Sequence, residues 1–210
     1  MTTDSSAHPI TVYADYVCPF CYLGRQSLEQ YRRSRTDTLP IEWHPFDLRR
    51  GKRDSTGAID HDADDGKDDE YFEQAKANVR RLQERYEVEM AQELAVEVDS
   101  YDAQLASLSV AESDPELWEA FDEAVYDALW KEGRDIGDAD VLAAIGDDVG
   151  VGAGDVRTAL EDEALRSRLE SLFDEAAVAG ISGVPTFVYE GYAAQGAVPP
   201  AHLERLVEGE

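Results

Sequence analysis

The stretch Asp15-Tyr16-Val17-Cys18-Pro19-Phe20-Cys21 decides how this chain of 210 residues is read. Before it, Ile10 to Tyr13 are β-prone; after it, Leu23, Leu28 and Tyr31 recur at helical spacing, which predicts strand, turn and amphipathic helix. Cys18 then falls at the helix cap and Pro19 at the first helical position, where a missing N–H costs nothing and a fixed φ suits the helix. Unpaired N–H groups and the helix dipole at that end favour a thiolate, the attacking species in disulfide exchange. Cys21, one turn later, is placed to resolve a mixed disulfide. Cys18 is therefore expected to be the exposed, reactive thiol, and Cys21 the shielded one with the higher pKa.

The chain has two cysteines in all, and a bond between them closes so short a loop that little entropy leaves the unfolded state. Stapling the fold is not their expected task. C-x-x-C also occurs in zinc knuckles, but zinc needs two further ligands, and His8, His44, His61 and His202 are scattered without paired spacing. No metal and no other cofactor is expected. His44, beside Trp43, reads as a packed or surface residue.

With 43% hydrophobic residues and ten tyrosines, the chain can bury a sizeable core. Its 46 acidic residues against 19 basic ones leave a formal net charge of −27, which argues against nucleic-acid binding. Arg32-Arg33 with Arg35 reads as a solvated helix end. Such an acid excess resembles proteins adapted to concentrated salt, where the Debye length shrinks to about 3 Å at 1 M and self-repulsion is screened. An acidic disordered chain is excluded by apolar residues that are abundant and periodic. Residues 1–9 show neither a positive nor an apolar leader region, so a cytoplasmic location is expected. No apolar run approaches the roughly 18 residues of a membrane span.

Ile41 to Phe46 reads as a second strand, with Pro45 limiting it to an edge or to its final residues. Residues 49–70, with Asp54, Asp60, Asp62, Asp64, Asp65, Asp68, Asp69 and Glu70, read as a mobile acidic linker without the spacing of a calcium loop. Helices follow. Phe72, Ala75, Val79, Leu82 and Tyr86 form one stripe; Leu117, Phe121, Val125 and Leu129, after Asp114-Pro115, form a second that Gly133 stops. Trp118, Phe121, Tyr126 and Trp130 are spaced as faces of that helix, predicting helical core with part lining a groove. Asp138 opens a third helix through Val141, Leu142 and Ile145, and Asp155 a fourth through Leu160, Leu169 and Phe173 to Gly180. Strands return at Val184 to Tyr189 and Ala193 to Val198, before a last helix from Pro200 to Val207. The order βαβ, helices, ββα predicts an α/β protein divided as 8–48, a linker 49–70, an inserted helical domain 71–178, and 179–210.

Asp15 to Cys21, Glu42-Trp43-His44-Pro45-Phe46-Asp47-Leu48, Glu132-Gly133-Arg134-Asp135-Ile136-Gly137-Asp138, Gly180-Ile181-Ser182-Gly183-Val184-Pro185-Thr186-Phe187 and Gly196-Ala197-Val198-Pro199-Pro200 together resemble the thioredoxin-like DsbA family, and within it the FrnE-like subgroup. The resemblance implies a thioredoxin-like fold with an inserted α-helical domain and a protein dithiol-disulfide oxidoreductase. It also implies protein or low-molecular-weight thiol and disulfide substrates, with a redox partner that recharges the cysteine pair. Pro185 would be a cis proline facing Cys18 and Cys21; Val184 would pair with an extended substrate, with Pro19 and Phe20 beside it.

Two departures alter what is expected. Relatives often carry a buried acid six residues before the first cysteine, where this chain has Val12, and Asp15 is expected to orient the turn rather than replace that acid. Phe20 stands where strongly oxidising relatives place a histidine, so a milder oxidant is expected. The alternative is a thiol-dependent isomerase or transferase acting on a small aromatic substrate, of the 2-hydroxychromene-2-carboxylate type. Such isomerases use serine in place of the first cysteine, and Asp99, Gln104 and Leu105 stand where their Asn and His-Arg would be expected.

Overall fold

The computed structural model describes residues 8–61, 63 and 66–209. Asp62, Asp64 and Asp65 of the expected linker lie outside the described residues, as do the first seven positions. Strand β1 (Ile10–Ala14) is joined to β2 (Ile41–Pro45) through helix α1 (Pro19–Ser34). A parallel pair needs such a crossover, and the register runs from Ile10 opposite Ile41 to Ala14 opposite Pro45. On its other side β1 pairs antiparallel with β3 (Thr186–Tyr189), which turns back into β4 (Tyr192–Gln195), giving the order β2-β1-β3-β4. Pro45 therefore ends an edge strand, where its missing N–H leaves no ladder bond unmade.

Between β2 and β3 the chain runs through α2 (Asp69–Tyr86), α3 (Tyr101–Ser113), α4 (Pro115–Trp130), α5 (Ala139–Val149), α6 (Ala153–Leu160) and α7 (Glu163–Val178); α8 (Pro200–Glu208) closes it. Two cores result. Ile10, Leu28, Tyr31, Leu39, Phe187 and Leu203 join the sheet to α1 and α8, whereas a larger cluster runs from Ala14, Val17 and Tyr22 into Phe121, Val125, Leu129 and Trp130 of the helical insertion. The cysteine turn thus lies inside the larger core.

Several elements differ from expectation. Helix α3 was not anticipated: Ala103, Gln104, Leu105, Ala106, Ser107, Leu108 and Val110 are all buried, so no single apolar stripe marks it. The predicted fourth helix is two, because Asp162 caps a new start, its carboxylate accepting from Ala164 N at 2.8 Å and Leu165 N at 3.1 Å. Asp155 sits in the first turn of α6, which Gly152 caps. Asp138 does cap α5, accepting from Asp140 N at 2.8 Å. Strand β4 stops at Gln195, and Gly196 leaves it at a φ of 91°.

Within residues 49–61 several side chains make contacts to other parts of the fold. Arg49-Arg50-Gly51-Lys52-Arg53 is a basic run that the acidic composition hides, and its arginines reach α7 and the loops that follow β2 and precede α3. Arg49 donates to the carbonyls of Ala95 and Val98, Arg50 pairs with Asp174 of α7 at 2.7 Å, and Arg53 pairs with Asp47 at 2.6 Å and Asp99 at 2.8 Å. Arg32 is likewise no solvated helix end: it bridges α1 to Glu119 of α4 through bonds of 2.9 and 3.1 Å. Among the described residues, no helix is long and apolar enough to cross a membrane.

Candidate active site

Cys18 caps α1 in an extended conformation, with Pro19 at the first helical position. Its backbone closes the turn, Cys18 N donating to Asp15 O at 3.1 Å, while its carbonyl accepts from Cys21 N at 3.0 Å and Tyr22 N at 3.3 Å. Both cysteines are free thiols. Both are buried, Cys18 at 3% exposure and Cys21 at 2%, which corrects the expectation that Cys18 is exposed. The cover comes from distant segments: the carbonyl of Val184 lies 3.6 Å from Cys18 Sγ, and the helical insertion packs the turn into the larger core. Burial, and then Cys18 beside it, push the Cys21 thiol well above its ordinary value.

The Val184–Pro185 peptide bond is cis. Pro185 rests on α1 at Gly24, where a Cβ would stand 2.9 Å from Pro185 Cγ and 3.2 Å from Phe187 Cζ. The loop is further tied by Thr186 Oγ1 donating to Gly183 O at 2.7 Å and by Gly196 N donating to Pro185 O at 2.7 Å, and Ser27 Oγ of α1 donates to Val198 O, after β4, at 2.6 Å. The structure therefore brings Cys18, Cys21, Pro19, Val184 and Pro185 together. Pro19 is buried, whereas Phe20 and Val184 are half-buried and keep surface open to a ligand.

Asp15 is 1% exposed. Its carboxylate accepts from Leu48 N at 2.8 Å, from Val17 N at 3.2 Å and from the Ser100 hydroxyl, tying the turn to the end of β2 and the start of α3. Burial outweighs these donors and pushes the carboxyl up to about 6, with Asp47 adding to the rise. Val12 faces Trp43 and Phe187 across the sheet and supplies no acid. His44 lies 4.5 Å from Tyr13, ring centroid to centroid, with Nδ1 3.0 Å from Pro45 O.

Sequence reasoning missed Tyr16, Arg25, Ser107 and Asp122. Arg25 of α1 contacts the buried carboxylate of Asp122, and the Tyr16 hydroxyl lies 2.9 Å from Asp122 Oδ1 and 2.8 Å from Ser107 Oγ. Contacts spanning about a hundred positions leave no local pattern to find. A separate polar cavity of about 600 Å³, near Arg53, Asp99, Tyr101 and Arg166, is lined by none of the residues around the cysteines.

A cysteine-capped helix, a second cysteine one turn on, a cis-proline loop packed against that helix and a four-stranded mixed sheet define a thioredoxin-like protein. The chain belongs to the DSBA-like thioredoxin domain family, whose pattern matches residues 9–208. It is 26% identical over 213 residues to the "Uncharacterized protein YwbO" of Bacillus subtilis (strain 168), covering 96% of each chain. Its fold resembles that of a probable DsbA oxidoreductase from Streptomyces coelicolor, with a TM-score of 0.75 at 21% identity, over 96% of this chain and 90% of the other. It also resembles a 2-hydroxychromene-2-carboxylate isomerase, with a TM-score of 0.74 at 19% identity, over 96% of this chain and 94% of the other. At these identities the structural likenesses speak to the fold.

Proposed function

We propose that this chain is a protein dithiol-disulfide oxidoreductase, with Cys18 as the nucleophile and Cys21 as the resolving thiol. The observation that carries the reading is the place of Cys18 Sγ, at the start of α1 and 3.6 Å from the carbonyl of Val184 beside Pro185. In the reducing direction the Cys18 thiolate attacks a substrate disulfide, forms a mixed disulfide and releases the first substrate thiolate. Cys21 then loses its proton and attacks Cys18 Sγ, so that the second substrate thiolate leaves and a Cys18–Cys21 disulfide remains. The reverse sequence oxidises a substrate dithiol, and a separate redox partner restores the starting state.

Half-buried Val184 and Phe20 make the substrate-facing edge, which fits an extended peptide or a small thiol. An apolar Phe20 places no positive charge beside the Cys18 thiolate, so the oxidised form is a mild oxidant. With no cysteine outside the turn, the chain has no structural disulfide to protect, which fits a reducing cytoplasm. The motif stretches around Trp43, Arg134 and Pro185 support a place in the FrnE-like subgroup.

In concentrated salt the wild type is expected to reduce insulin-type disulfides, and Cys18→Ser to lose that activity. Equal rates in the two proteins would end this reading. Turnover of a small aromatic substrate by Cys18→Ser would favour the isomerase alternative instead.

A further inference from the structure

Tyr16 lies two positions before Cys18, yet its hydroxyl and its carbonyl are both held by the helical insertion. The hydroxyl meets Ser107 of α3 and Asp122 of α4, while the backbone carbonyl accepts from Trp130 Nε1 of α4 at 2.8 Å. Trp118 Nε1 donates to Ser107 Oγ at 3.0 Å, and Arg25 holds the other oxygen of Asp122. An ionised carboxylate only accepts, so the Tyr16 proton points to Asp122. Ser107 Oγ, which accepts from Trp118, lies on the other side of the Tyr16 hydroxyl at 2.8 Å. Trp118, Ser107, Tyr16 and Asp122 thus form one continuous buried chain of hydrogen bonds.

Removing the Tyr16 hydroxyl alone leaves buried Asp122 and Ser107 short of a partner and costs stability, although a phenylalanine would fill much the same space. A fully satisfied buried network also fixes orientation. Tyr16 is the residue whose orientation it fixes, and the next peptide but one carries the capping cysteine.

We propose that Tyr16 is a positioning residue through which Ser107, Asp122 and Trp130 of the helical insertion set the geometry of the Cys18 turn, and with it the redox equilibrium of the cysteine pair. The inference rests on the oxidoreductase reading above. With both ends of Tyr16 held, Val17 and Cys18 cannot swing away from the N–H groups that open α1. Releasing the hydroxyl lets the turn relax and changes how well those groups face the Cys18 thiolate.

The test compares wild type, Tyr16→Phe and Ser107→Ala in glutathione buffers at high salt. It reads three quantities: the equilibrium constant for disulfide formation, the pH midpoint of Cys18 alkylation, and Tm. Tyr16→Phe is expected to fold, to change the equilibrium constant at least threefold and to move the alkylation midpoint. Ser107→Ala, which leaves Tyr16 its bond to Asp122, is expected to shift both by less, and it decides the matter if Tyr16→Phe does not fold. Variants that lower Tm yet keep the wild-type constant and midpoint would show a merely structural grip and overturn this inference alone. A wild type that no glutathione ratio converts to the disulfide would overturn the oxidoreductase reading together with it.

Discussion

At the scale of single residues, the two thiols differ by what surrounds them rather than by exposure. Cys21 has its thiol pKa pushed well up by burial and by Cys18 beside it, so at neutral pH it holds its proton. Alkylation of the reduced protein is expected to modify Cys18 first, and slowly, because only 3% of that residue is exposed. Cys21→Ser is expected to trap mixed disulfides that Cys18→Ser does not form; peptide mapping that found Cys21 labelled first would reverse the roles. Asp15 offers a pH test. Its carboxyl is raised from an ordinary value of 3.8 to about 6, so the folded state holds this proton more tightly than the unfolded chain does. Stability from that proton is present below about pH 4 and is lost as the pH rises through about 6, a loss on the order of 3 kcal/mol. Urea unfolding between pH 4 and 7 is expected to show this decline in wild type and not in Asp15→Asn; parallel curves would place the titration elsewhere. The cysteines were legible because their chemistry needs four adjacent positions. Asp15 was legible only as an orienting group, since the Leu48 and Ser100 partners that bury it come from far along the chain.

At the scale of elements, Gly24 shows how closely the proline loop lies on α1. A methyl group there would stand 2.9 Å from Pro185 Cγ, and such overpacking costs about 1–3 kcal/mol, against about 1 kcal/mol gained from better helix propensity. Gly24→Ala is expected to destabilise modestly and to slow disulfide exchange more than its stability loss explains, because the loop that shifts carries Val184. Denaturant unfolding beside an exchange assay checks this; an unchanged rate would mean that the loop adapts freely. Helices with one wet face, such as α2 and α4, were legible from their stripes. Helix α3 was not, because packing on several faces erases the period, and the break between α6 and α7 rests on one aspartate in a chain full of aspartates.

At the scale of the whole molecule, the net charge of −27 sets a contest between two electrostatic effects. Added salt weakens surface ion pairs, each worth about 0–1 kcal/mol, and also screens the repulsion among the excess carboxylates. If the composition is an adaptation to salt, screening wins, and Tm is expected to rise steeply from about 0.1 M to 1 M and above. A flat or falling Tm would refute the halophilic reading. The order of elements was legible in the sequence, but the clasp formed by Arg49, Arg50 and Arg53 was not, because composition averages away a short basic run. Cys18 and the Val184 carbonyl that covers it stand 166 positions apart. Chains emerge from the ribosome amino-terminus first at about 5–20 residues per second, so roughly 10 to 30 seconds of synthesis separate the reactive turn from its cover. A newborn chain therefore presents the Cys18 thiol to the surrounding thiol pool well before the finished fold can restrict who meets it.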